Sequence, residues 1–190
     1  MKPEHLKQLI DAKRRWTEPL TSEGKTEGFK GWYSSKFLPH FDSPGAQQYL
    51  TYRLADSLPS ERHGEWKAIM ALEDDLEKQR KLERYLDLGY GSCHLRNPRI
   101  ADLVQASLWH HDGVKYRLLA WVVMPNHLHA LIEVWHVPMG EIVRSWKGYS
   151  SKRTRFWAAR EPSGKMIISI VLFATEIISG ASFATSRAIP

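Results

Sequence analysis

The chain predicts an α+β layer structure, helices packed on an antiparallel sheet. Three observations lead there. Apolar residues alternate at Leu50, Tyr52 and Leu54 and again between Val114 and Trp135, which is the two-residue period of strands. After Asn97 they recur at helical spacing. The two later strands are separated only by Pro125 and Asn126, a link that suits antiparallel neighbours.

Residues 1 to about 45 mix charges, Gly and Pro without sustained periodicity and read as an irregular arm. A strand follows, with Leu50, Tyr52 and Leu54 on one face and Thr51 and Arg53 on the other. From Arg62 to Leu86 the sequence is charged and rich in helix formers, and Trp66, Ile69, Met70, Leu72, Leu76 and Leu82 supply a buried side; one long helix is expected. Asn97 and Pro98 read as N-cap and first-turn proline of a second helix. Its apolar stripe is Ile100, Leu103, Val104, Ser107 and Leu108, and it ends near His111-Asp112-Gly113. Strands over 114–124 and 127–135 come next, then a basic helix. At 190 residues this is one domain, over 46–165, with appendages, and no internal repeat is visible.

The formal charge of +6 favours a polyanionic partner, although proteins that never touch nucleic acid also reach it. Its location says more. Between Glu141 and Lys165 seven basic side chains face two acidic ones, so this window holds five of the six net charges. Ile142, Trp146, Tyr149 and Phe156 recur there at near-helical spacing, giving a helix with one apolar stripe and a cationic remainder. Arg144, Lys147, Lys152, Arg153 and Arg155 are the candidate contacts to a phosphate backbone; the alternative is a solvated basic face. A single cysteine, Cys93, excludes an intrachain disulfide framework, and no signal peptide opens the chain, so a reducing cytoplasmic setting is expected. The longest apolar stretch, 166–178, carries Ser169, Thr175 and Glu176 and falls short of the roughly 20 residues that span a bilayer. No membrane partner is expected.

The run Met124-Pro125-Asn126-His127-Leu128-His129-Ala130-Leu131-Ile132 carries the chemistry. On a strand His127 and His129 project side by side, while Leu128, Ala130, Ile132 and Val134 point to the core. Neutral imidazoles bind divalent ions, and two on one face can fill neighbouring corners of a coordination sphere. Two ligands are not a site, so a third group has to come from elsewhere in the fold. The competing reading is ordinary histidines on a half-buried strand. Glu133 shares their face but lies about 13 Å from His129 along an extended strand, too far for one ion, and reads as a surface carboxylate. His94, His110, His111 and His136 suggest no role.

The stretch Tyr116-Arg117-Leu118-Leu119-Ala120-Trp121-Val122-Val123-Met124-Pro125-Asn126-His127-Leu128-His129 resembles the signature of REP-associated tyrosine transposases, a branch of the single-tyrosine HUH transposases. The likeness extends through Phe41-Asp42-Ser43-Pro44-Gly45, Thr51-Tyr52-Arg53-Leu54-Ala55-Asp56-Ser57-Leu58-Pro59 and Ser145-Trp146-Lys147-Gly148-Tyr149-Ser150, and covers roughly Gly31 to Arg155. It implies a ferredoxin-like or RRM-like sheet, a divalent metal, Mg²⁺ or Mn²⁺, held by His127 and His129, and single-stranded, hairpin-forming DNA as partner. It also implies a mechanism. A tyrosine hydroxyl attacks the phosphodiester, leaving a 5′-phosphotyrosine and a free 3′-hydroxyl, while the metal polarises and orients the phosphate.

In that family the nucleophile lies on a late helix, in a pattern like Y-I-x-x-N-P, with the Asn or Gln four residues on completing the metal site. This chain departs from the pattern. From Met166 to Pro190 it contains no tyrosine, histidine, asparagine or glutamine, and Glu176 and Arg187 are its only charged side chains after Met166. Synonymous codons for these residues, read from the third base of the Met166 codon, give D-Y-F-D-R-F-I-R-D-G-D-H-F-R-R-V-L-R-Y-I-E-S-N-P, which looks like the missing end. Residues 166–190 are therefore expected to be an out-of-frame tail, and no catalytic residue is identified in frame. Tyr149 is a weak candidate only, better read as scaffold. Three functions are in play: a transposase or single-strand endonuclease by ancestry, a DNA-binding remnant without chemistry, and an unrelated H-x-H metal-dependent hydrolase.

Overall fold

The computed structural model describes residues 19–34, 39–158 and 170–176. Its centre is a four-stranded antiparallel sheet of β3 (Gln47–Leu54), β4 (Tyr116–Val123), β5 (His127–Val134) and β6 (Ile170–Glu176), in spatial order β4-β5-β3-β6. With helices between β3 and β4 and between β5 and β6, that order is the βαββαβ arrangement of a ferredoxin-like sheet, so the α+β expectation holds.

Strand alternation places the core. Leu50, Tyr52 and Leu54 of β3 and Leu128, Ala130, Ile132 and Val134 of β5 are all buried on one face. Two helices cover it: α4 (Pro98–Trp109) through Ile100, Val104 and Leu108, and α5 (Met139–Ala158) through Met139, Ile142, Val143 and Trp146. Buried polar groups on this side are paired, as burial requires. Tyr52 Oη and Ser150 Oγ are 2.8 Å apart, Trp146 Nε1 donates to Tyr116 Oη at 2.8 Å, and that hydroxyl donates to the Leu108 carbonyl. Asn97 caps α4 as its sequence predicts, accepting from Arg99 N at 3.0 Å with Pro98 in the first turn.

Three expectations change. The arm is not irregular throughout: α1 (Ser22–Thr26), capped by Thr21 on Gly24 N, precedes a hairpin of β1 (Gly31–Ser34) and β2 (Pro39–Asp42). The long helix over 62–86 is two, α2 (His63–Met70) and α3 (Asp75–Asp87). Asp74 makes the break, because its carboxylate accepts from Glu77 N at 2.8 Å and starts a new helix. The sheet extends beyond residue 165, since β6, inside the stretch read as aberrant, pairs along β3 from Gln48↔Glu176 to Leu54↔Ile170. In the shifted frame the tyrosine falls across the Ala184 and Thr185 codons and the asparagine across those of Ala188 and Ile189, and all four residues lie outside those described. Among those described, no helix is long and apolar enough to cross a membrane.

Candidate metal centre

His127 and His129 occupy the sheet face opposite α4 and α5, because β5 alternates and its even-numbered residues fill the core. Their ring nitrogens converge: the two Nε2 atoms are 3.1 Å apart. Pairing with β3 puts Arg53 opposite His127 and Thr51 opposite His129.

Each ring is held at its other nitrogen. His127 is fully buried, and its Nδ1 lies 2.8 Å from Asn126 Oδ1. The orientation of that amide is fixed, since Asn126 Nδ2 donates to the carbonyls of Leu86 and Tyr90, both at 3.1 Å. Oδ1 is thus the atom facing His127, so Nδ1 carries the proton and Nε2 the lone pair. His129 Nδ1 lies 3.0 Å from Thr51 Oγ1, a hydroxyl able to donate or accept, and its ring stacks on Tyr49 with centroids 5.1 Å apart. Burial lowers the pKa of both imidazoles, and that of His129 falls to about 4 through burial and its neighbour His127, opposed by Asp87. Both rings are therefore neutral at pH 7, the form that binds metal.

These residues fit a divalent ion. Cis ligands at bond lengths near 2.0–2.1 Å stand roughly 3.0–3.4 Å apart, and the histidine pair has that spacing already. Without a cation, His129 satisfies its partner by donating Nε2–H to His127 while Thr51 donates to its Nδ1. A bound cation would need both Nε2 lone pairs, so the His129 proton would sit on Nδ1 with the threonine hydroxyl accepting it. Among the described residues, no three His, Cys, Asp or Glu side chains stand together as a complete site. Glu133 shares the face but pairs in register with Gln47 and Arg117 at the far end of β5.

The basic helix is not brought to this site. Arg144, Lys152 and Arg153 are exposed on α5, Lys147 is half-buried with its pKa lowered by burial, and Arg155 lies outside the described side chains. All belong to the helix layer on the other side of the sheet. Tyr149 is there too, stacked on His110 at 5.8 Å with the Arg153 guanidinium 4.8 Å from its ring centroid, so it does not reach the histidines. Tyr49 does stand beside them, yet burial, Glu83 and Asp87 all raise the pKa of its phenol, the reverse of what an attacking oxygen needs.

Sequence reasoning read Asn126 as a turn residue and Thr51 merely as facing away from the core. The signal for Asn126 was its place beside the motif; Thr51 had none beyond its strand parity. No family model matches the chain, and no curated protein matches it significantly.

Proposed function

We propose that this protein is a transposase-derived, metal-holding binder of single-stranded, hairpin-forming DNA that lacks the phenol needed to cut it. The observation that carries the reading is the imidazole pair at 3.1 Å, with the His127 tautomer fixed, on the face of a ferredoxin-like sheet opposite α4 and α5. A bound divalent ion would polarise and orient a phosphate oxygen. His127 and His129 would hold it, Asn126 and Thr51 would set their tautomers, and the cationic side of α5 would draw in the backbone.

The shifted frame supplies the contrast. In intact relatives of the resembled family, a tyrosine from the late helix cleaves and rejoins the strand, carrying out DNA transposition. Sequencing the gene through the 166–190 codons tests the frame directly; bases that do not encode the alternative string end that part of the reading. For the protein, hairpin-bearing single-stranded DNA with Mn²⁺ is expected to give a retarded complex in a gel shift and no covalent adduct in denaturing gels. An adduct would show a working nucleophile. Turnover of a small phosphoester without DNA binding would favour a hydrolase instead. Re-reading the same codons from the third base of the Met166 codon is expected to restore the adduct.

A further inference from the structure

We infer that Asp87 is the third protein ligand of the His127–His129 centre, making it a two-histidine, one-carboxylate site for a divalent cation of the Mn²⁺ or Zn²⁺ type. The inference rests on reading the histidine pair as a metal centre and adds the ligand that the tail does not supply.

Asp87 is the last residue of α3, and its Oδ1 lies 3.7 Å from His127 Nε2. Its position is set by the same residue that sets the histidine. Asn126 Nδ2 binds the carbonyls of Leu86 and Tyr90, on either side of Asp87, while Asn126 Oδ1 faces His127 Nδ1. One amide therefore fixes both the approach of the carboxylate and the tautomer that turns a lone pair toward it.

The side chain is 58% exposed, so it can turn about its own torsions to shorten 3.7 Å to the roughly 3.0–3.4 Å of cis ligands. Its resting place is electrostatically poor. A carboxylate at a helix C-terminus faces the negative end of the dipole, and Glu83, one turn earlier, adds a second negative charge near Tyr49. A cation between Asp87 and the imidazoles relieves this. Two nitrogens and one oxygen suit borderline transition ions better than Mg²⁺, which prefers oxygen donors, and three ligands leave positions open for water or phosphate.

Titration of the full chain with Mn²⁺ alone, followed by calorimetry and by the loss of the free-ion spin resonance signal, tests this. The unsubstituted protein is expected to bind one ion. Asp87→Asn should weaken binding by about tenfold or more, Asp87→His should keep it by returning a donor, and Glu141→Gln, an exposed carboxylate on α5 across the sheet, should leave it unchanged. Circular dichroism checks that each variant is folded. If the unsubstituted protein takes up no Mn²⁺, the histidine centre and the Asp87 role both fall. If it binds and Asp87→Asn binds equally well, or Asp87→His loses binding as fully as Asp87→Asn, the Asp87 role alone is overturned.

Discussion

The Asn126 side chain makes three hydrogen bonds while buried at the turn before β5, and they serve two ends. Two tie down the chain around Asp87 and one fixes a histidine tautomer. Asn126→Leu fills a similar volume but strands two carbonyls and a ring N–H, so it is expected to lower unfolding free energy by about 2–3 kcal/mol in urea denaturation. The imidazoles themselves make the fold acid-sensitive. Their folded pKa values lie below the ordinary 6.5, so as pH falls the unfolded chain takes up protons first. In EDTA, stability is expected to be complete above about pH 6.5 and to fall toward pH 4, by no more than about 1.4 kcal/mol per pH unit for each ring. His129→Gln should flatten that slope in melting curves across pH 4–7; an unchanged slope would place the acid sensitivity elsewhere.

At the scale of elements, α5 starts where a residue nearly a hundred positions earlier tells it to. Asp42, buried at the end of β2, accepts from Met139 N at 3.0 Å. Burial raises the pKa of its carboxyl, while the Met139 amide and Lys30 oppose the rise. An anion at a helix N-terminus complements the dipole and satisfies an orphan N–H. Asp42→Ala is expected to cost about 1–2 kcal/mol, read as a lower urea midpoint, with Asp42→Asn recovering most of it because it keeps the acceptor. Along the same helix the Tyr52–Ser150 contact joins α5 to the middle of the sheet. Tyr52→Phe should cost about 1 kcal/mol by removing the Tyr52–Ser150 hydrogen bond.

Taken whole, the molecule carries its imidazole pair on one side of the sheet and its cationic helix on the other. A strand of DNA that meets both has to pass an edge of the sheet. Under the proposed DNA-binding function, salt dependence measures how much of the affinity belongs to the helix. Replacing Arg144, Lys152 and Arg153 by Gln is expected to reduce the slope of log K against log salt by about 2 in fluorescence anisotropy, because each phosphate contact on a single strand contributes roughly 0.7. Metal affinity should be untouched by these changes. A loss of Mn²⁺ binding in the triple variant would mean that the faces are coupled.

Local pattern determined a good deal here by itself. The alternation around Leu50 and Leu128, the Asn97-Pro98 cap and the Pro125-Asn126 link are short-range, and α4, β3, β4, β5 and the parity of the two histidines followed from them. The break at Asp74 was also local, but a charged helical pattern masked its capping signal. The tertiary structure decided what depends on contacts distant in sequence. It put Asp87 beside His127, Thr51 beside His129 and Asp42 beneath α5, and it sent the basic helix to the far side of the sheet. The reason is physical: a side-chain period fixes which face a residue occupies on its own element, whereas its neighbours across that face depend on how strands are ordered and which helices cover them.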